Sequence, residues 1–140
     1  MPEVDRNDLE DAMRMLDESG SAARGWVSRD TGKVHLRNDE LEDLGEPLPA
    51  DIDDGEQYID VPPLRTFDLG PGLVARFTRE HLPADHERVK AFFRSQGAYR
   101  RFSALLAERG NTATWHSYRD DAIRNALQEW CEENGLRLGA

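Results

Sequence analysis

The stretch WVSRDTGKVHLR, residues 26–37, decides the fold because it contains two short strand patterns on either side of a turn. Two apolar residues open the stretch, and Val34 and Leu36 alternate with polar residues near its end. Alternation with a period of two is typical of a strand that buries one face. Gly32 lies in the short polar segment between the two patterns, as expected for a tight turn. The stretch therefore predicts a β-hairpin.

A third strand is predicted later in the chain, at Tyr58, Ile59 and Val61. Pro62 and Pro63 end this strand, because proline has no N–H group to donate to a β-ladder. The hairpin and the third strand together predict a small antiparallel sheet.

A helix is predicted before the hairpin, within residues 1–20. Apolar residues recur in this segment at helical spacing: Leu9, Ala12, Met13 and Leu16. Asn7 is the predicted N-cap, and the acidic residues that follow it favour the positive end of the helix dipole. Gly20 is predicted to end the helix.

The segment 38–56, between the hairpin and the third strand, is strongly acidic. It carries nine acidic residues together with Pro47 and Pro49. Like charges repel one another and few apolar residues are present to anchor the segment. We predict an acidic loop that is partly mobile.

The second half of the chain predicts about four helices separated by glycine and proline. The first follows Gly72, and the second begins near Pro83. The third lies between Gly97 and Gly110. The apolar stripe of the third helix is predicted to point inward: Tyr99, Phe102, Leu105 and Leu106.

The last helix is predicted to start at Asp120 and Asp121 and to end at Gly135. Trp115 and Tyr118 are placed in the connection before it. Its apolar stripe consists of four residues: Ile123, Ala126, Leu127 and Trp130.

Strands followed by a run of helices predict the α+β class. We expect a small antiparallel sheet, made of the hairpin and a third strand, packed against a helical C-terminal half. The length of 140 residues is the common size of one compact domain, so residues 1–140 are predicted to form a single domain.

The net charge of the chain restricts its partners. It contains 18 Lys and Arg residues against 28 Asp and Glu residues, which gives a formal charge of -10. Such a chain repels nucleic acid at long range unless a local basic patch overcomes its field. A basic protein partner is therefore easier to accommodate, and nucleic acid is disfavoured.

Cysteine content and hydropathy indicate the compartment. Cys131 is the only cysteine, which argues against a secreted disulfide scaffold. The first 16 residues are acidic, and no run of 18 apolar residues occurs. We expect a cytoplasmic protein without a leader peptide and without membrane contact.

Several segments, in order, resemble a bacterial family called uncharacterised protein family 0158. They are the strand pair at residues 26–36, YIDVPPL at 58–64, GAYRRFSALL at 97–106, WHSYRDD at 115–121 and ALQEWCEENGL at 126–136. Together they cover most of residues 23–136. The sequence departs from the family at DLGPGLVARF, residues 68–77, where relatives have an unbroken helix. The resemblance implies the fold and the compartment, but the family has no assigned activity.

The acidic loop does not satisfy the pattern of a calcium site. An EF-hand loop requires glycine at its sixth position and a bidentate acid at its twelfth. Counted from Asp51, glycine stands at the fifth position, and Pro62 occupies the twelfth. A solvated acidic loop is the preferred interpretation, and no metal ligand is predicted.

The histidines and the cysteine also lack a reactive context. His81 and His86 are five residues apart with Pro83 between them, which does not suit a shared zinc ion. Cys131 lies near a helix C-terminus among glutamates, which disfavours the thiolate. We therefore predict a structural thiol and no catalytic or cofactor-binding residue.

One local patch is basic and aromatic in an otherwise acidic chain. It comprises six candidate contact residues: Arg94, Arg100, Arg101, Trp115, Tyr118 and Arg119. Arg101 borders the apolar stripe and Arg100 is turned further toward solvent. The arginines either brace the helices structurally or form an anion-binding or partner-contacting patch.

The sequence favours a non-enzymatic binding or regulatory protein that acts through protein contacts, one form of which is an acidic inhibitor of a basic partner. A homo-oligomer is also compatible with it. Two alternatives stay open. One is a nucleic-acid-associated module in which the arginines hold phosphates and Trp115 or Tyr118 stacks on bases. The other is a hydrolase with an unrecognised site around His116.

Overall fold

The computed structural model describes residues 1–40 and 47–139, which fall into two compact units. The sheet unit consists of Met1–Phe67 and Asn125–Ala140. The helical unit consists of Asp68–Arg124. The prediction of a single domain stays a prediction.

The described residues of the sheet unit form one complete α-helix and five short strands. The helix is α1 (Arg6–Ser19), and the strands are β1 (Glu3–Val4), β2 (Ala23–Ser28), β3 (Val34–Asn38), β4 (Tyr58–Asp60) and β5 (Arg137–Leu138). Strand β2 is the centre of an antiparallel sheet with the order β3-β2-β4. The α+β class and the small antiparallel sheet are therefore confirmed.

The central strand β2 fixes the register of this sheet. Trp26 pairs with His35 on one side and with Asp60 on the other. The third strand ends at Asp60, one residue earlier than predicted, although the Val61 amide still donates to the Gly25 carbonyl at 2.9 Å. Helix α1 packs against β2 and β3 and buries the four apolar residues of its predicted stripe.

The N-cap of α1 is Asp5, so the prediction of Asn7 was wrong. The Asp5 carboxylate accepts a hydrogen bond from the Asp8 amide at 2.9 Å, and the Leu9 amide donates to the Asp5 carbonyl at 3.0 Å. Helix α1 therefore begins at Arg6, before the acidic residues that had suggested its start. Gly20 ends it with a positive φ of 55°.

A parallel pair of two-residue strands, β1 and β5, was not predicted. Glu3 pairs with Arg137 and Val4 with Leu138. The Gly139 amide donates to the Val4 carbonyl at 2.7 Å. Two residues are too few for a period-two pattern, so no sequence signal announces this pairing.

The acidic loop is described only in part, because residues 41–46 lie outside the described residues. Its second portion forms consecutive turns, in which the Asp54 amide donates to the Asp51 carbonyl at 2.9 Å. The Tyr58 hydroxyl donates to the Asp51 carboxylate at 2.9 Å, which joins this portion to the first residue of β4.

Four helices follow in the second half of the chain, as predicted. They are α2 (Pro71–His81), α3 (His86–Phe92), α4 (Ala98–Arg109) and α5 (Thr112–Glu133). Pro71 occupies the first turn of α2. A Cβ atom at Gly72 would collide with the Asp68 carboxylate, which explains why a glycine follows Pro71.

The predicted start of the last helix was wrong. Helix α5 begins at Thr112, directly after Gly110 ends α4 with a φ of 69°. The Trp115 amide donates to the Asn111 carbonyl at 2.9 Å, so Trp115 and Tyr118 lie inside the helix rather than in a connection. Asp120 and Asp121 had suggested a helix start. The apolar side of α5 instead continues toward the N-terminus through Tyr118 and Trp115.

The helical unit has one core of nine buried residues: Leu73, Val74, Phe77, Leu82, Val89, Phe102, Leu105, Leu106 and Trp115. Phe77 is its centre, with ring centroids 5.1 Å from Trp115 and 6.4 Å from Phe102. Asp85 and Arg109 form a bidentate ion pair at 2.9 and 3.2 Å, which links the turn before α3 to the end of α4.

Candidate functional site

The turn between α3 and α4, residues 93–97, carries the exposed side of the predicted arginine patch. Successive backbone hydrogen bonds of 3.2 to 3.4 Å hold this turn, and the bond from the Arg94 amide to the Ala91 carbonyl measures 3.2 Å. Gly97 adopts a φ of 78° and caps α4. Arg101 donates to the Ser95 hydroxyl at 2.7 Å, so it braces the turn through a hydroxyl rather than a carboxylate.

Tyr99 is 52% exposed, and the prediction that it points inward was wrong. The core side of α4 begins only at Phe102, so the first turn of the helix extends beyond the core. Tyr99 instead meets the half-buried Phe93 edge to face, with centroids 5.0 Å apart. A Cβ atom at Gly70 would be 3.4 Å from the Tyr99 hydroxyl, which places that hydroxyl beside the start of α2.

Arg119 is the cation that acts on Tyr99. Partial burial raises the pKa of Tyr99, and the positive charge of Arg119 opposes that rise. Helix α5 thereby contributes a guanidinium to the same surface that Phe93 and Tyr99 form. The charge of Arg119 thus acts on Tyr99, and Arg94 directly follows Phe93, whose ring contacts Tyr99.

The arginines of this surface are not paired with carboxylates of the described residues. Among residues 1–40 and 47–139, none of the four candidate arginines forms an ion pair with a carboxylate: Arg94, Arg100, Arg101 and Arg119. The first turn of α4 contains no acidic residue. Positive side chains at a helix N-terminus are unfavourable to the dipole, so this turn carries excess positive potential.

A groove of about 280 Å³ lies between α2 and α3, next to this surface. It is lined by Pro71, Gly72, Val74, Ala75, Val89, Lys90, Phe93 and Arg94. Its floor is apolar, and its two cations come from the last turn of α3 and the residues after it. Phe93 belongs both to the groove and to the contact with Tyr99.

The two other aromatic candidates do not belong to this surface. Trp115 is 8% exposed and contributes to the core. Tyr118 is half-buried, with its ring 5.2 Å from Phe77 and 5.7 Å from His81. Burial, together with the negative charge of Glu80, raises the pKa of Tyr118. A buried indole cannot present its face to a nucleic-acid base.

The charges of the two units differ in sign. The helical unit contains ten Arg and Lys residues against seven acids, a formal charge of +3. The sheet unit contains eight basic residues against 21 acids, a formal charge of -13. The overall charge of -10 therefore conceals a cationic unit, which composition alone did not reveal.

The remaining reactive groups have the following environments. His116 is exposed on α5. Cys131 is buried, and desolvation with the nearby charge of Glu132 raises the pKa of its thiol to about 11, which agrees with a structural thiol. No cluster of three metal-ligating side chains occurs in the part of the chain that the structure describes.

Within the described ranges, no helix has the length and apolar content needed to cross a membrane. Comparison of the chain with protein-family models, with curated proteins and with solved structures found no match. The resemblance to uncharacterised protein family 0158 therefore stays a prediction that rests on the ordered segments alone.

Proposed function

We propose that this chain is a non-enzymatic binding protein that contacts a protein partner through its helical unit. The contact surface is defined by Phe93, Arg94, Tyr99, Arg100 and Arg119. The single observation that carries the proposal is the exposed Tyr99, which contacts Phe93 and feels the charge of Arg119, an arginine that forms no ion pair with a described carboxylate.

This composition is typical of the energetic centre of a protein interface. Tyrosine and arginine are enriched among the residues that lose most binding energy when truncated. Arginine contributes charge, hydrogen bonds and planar stacking, whereas tyrosine contributes apolar area with few rotatable bonds. A structural bracing role accounts for Arg101, which contacts Ser95, but it does not account for Arg94 or Arg119.

The nucleic-acid alternative is weaker than the arginines alone indicate. Its stacking residue Trp115 belongs to the core, and the sheet unit opposes a polyanion with a formal charge of -13. His116 is exposed, and no contact among the described residues supports a hydrolase site there. The cytoplasmic compartment and membership in uncharacterised protein family 0158 are parts of the proposal and rest on the sequence.

A basic partner that docks on the acidic loop is a second binding mode, favoured by the charge of the sheet unit. In that mode, changing Asp51, Asp53 and Asp54 to Asn should slow association through the rate of encounter. The same variant should not affect a contact at Tyr99.

The test is an affinity pull-down from nuclease-treated native lysate. The wild-type chain should retain a discrete protein, and both Tyr99→Ser and Arg119→Glu should reduce its recovery about tenfold, equivalent to about 1.4 kcal/mol. Melting temperatures should stay close to wild type, because Tyr99 is exposed and Arg119 forms no ion pair with a described carboxylate.

The matched control is Arg29→Glu, which makes the same charge change on an exposed turn of the sheet unit. The Arg29→Glu variant should retain the partner protein as the wild type does. Loss of the partner in the control or in the triple aspartate variant, but not in Tyr99→Ser, would move the contact to the sheet unit and refute the proposed surface.

A further inference from the structure

We infer that the α2–α3 groove receives an apolar side chain from an acidic segment of the protein partner. This inference rests on the proposed function and specifies the chemistry of the partner. The groove is the cavity of about 280 Å³ lined by residues of α2, α3 and the turn after α3.

The floor of the groove requires an apolar occupant. Val74 and Val89 are each 1% exposed and form its base, and Ala75 and Phe93 are half-buried on its sides. Pockets that bind whole small molecules usually measure about 300–1,000 Å³, so this volume is at the lower limit. A single anchoring side chain fits such a space better than a nucleotide does.

The rim of the groove requires a negative occupant. Lys90 and Arg94 line the groove, and Arg119 lies beside the adjoining Tyr99. Among the described residues, Lys90 has one long ion pair, with Glu87 at 3.8 Å, and Arg94 has none. Acidic residues next to the anchoring side chain would therefore meet uncompensated positive charge.

The start of α2 is not available to that negative charge. The Asp68 carboxylate lies over Gly72 and pairs with Arg76 at 3.7 Å. The chain thus supplies its own anion at this helix N-terminus. The acidic residues of the partner are consequently assigned to the side of the groove that Lys90 and Arg94 form.

The test is selection of a random dodecapeptide library displayed on phage against the full-length chain. The selected peptides should combine one large apolar residue with neighbouring Asp and Glu residues. Synthetic copies should shift the amide resonances of Ala75, Val89, Phe93 and Arg94. A random library removes the risk that one chosen peptide has the wrong sequence.

Two variants separate the two requirements of the groove. Ala75→Leu keeps helix propensity and charge but fills the cavity, and Arg94→Glu reverses the rim charge. Each should weaken the selected peptides at least about tenfold, an energy of about 1.4 kcal/mol. Arg29→Glu should bind them like wild type, and unchanged melting temperatures would show that all variants are folded.

Four outcomes of the peptide and oligonucleotide experiments would overturn the inference. They are selection of basic peptides, failure to select any peptide, indifference of binding to Ala75→Leu, and stronger shifts of the same amides by a single-stranded oligonucleotide. Self-association that Arg94→Glu abolishes would assign the groove to a second copy of the chain and would likewise reject an external segment. Loss of the lysate partner in Tyr99→Ser but not in Ala75→Leu would leave the proposed function intact and reject the groove alone.

Discussion

The arginines of the helical unit differ in whether they pair with a carboxylate. Arg109 is structural, because it donates to both oxygens of the largely buried Asp85 carboxylate. Arg94 and Arg119 have no carboxylate partner among the described residues, and one of them lies beside the exposed Tyr99. The same residue type is therefore paired at one position of the unit and, among the described residues, unpaired at two others.

The Asp85–Arg109 pair makes the stability of the helical unit depend on acid. The hydrogen bond and charge of Arg109 lower the pKa of Asp85 below its ordinary value, although burial opposes them. A carboxyl whose pKa is lowered by folding contributes stability above its unfolded pKa of about 3.9, and this contribution is lost as the pH falls through the lower, folded value. Asp85→Asn should therefore melt below wild type at pH 7.

The measurement is the melting temperature of both proteins by circular dichroism at pH 7 and at about pH 3. The difference between them should shrink at the lower pH, because the wild type loses part of the contribution of Asp85 once the pH falls below the unfolded pKa, whereas the variant has no such contribution to lose. Glu108→Gln changes an exposed carboxylate of α4 and should melt like wild type at both pH values. Equal melting of Asp85→Asn and wild type at pH 7 would show that the pair contributes nothing.

At the level of the elements, periodicity predicted most of the helices and the antiparallel sheet. It failed where a local signal competed with packing. Acids at 120 and 121 resemble a helix start, yet Trp115 one turn into α5 packs on Phe77 and extends the helix backward to Thr112. The β1–β5 pair could not be predicted, because two residues carry no pattern.

The glycine that separates α4 from α5 provides a test at this level. Gly110 has a φ of 69°, and nothing lies within 4 Å of where its Cβ would be. Gly110→Ala should therefore cost about 1–2 kcal/mol of unfolding free energy from backbone strain alone. Denaturant unfolding measures this quantity.

Gly55→Ala is the matched control, since the space around Gly55 is equally open and its φ is not in the left-handed region. Its effect should be within about 0.5 kcal/mol. Equal effects of the two substitutions would mean that the turn after α4 does not need the left-handed conformation.

Across the whole molecule, charge is divided between the two units rather than spread evenly. The sequence predicted the arginine patch, but composition indicated only an acidic chain, because the sum of +3 and -13 hides the cationic unit. Because Tyr99 was expected to point inward, the sequence did not identify it as the exposed aromatic residue on which the proposed function rests. The sequence does not show at which residue the buried stripe of α4 ends. Only the packing of α4 against the core of the helical unit shows this.

The central claim is that a protein contacts the surface around Tyr99. The most direct measurement replaces Tyr99 by a photo-crosslinking phenylalanine, irradiates native lysate, and compares the adducts with those obtained from the same replacement at Arg29. If the claim holds, position 99 gives a discrete adduct that protease removes and nuclease leaves unchanged, and position 29 gives none. A nuclease-sensitive adduct from position 99, or a protein adduct from position 29 alone, would contradict it.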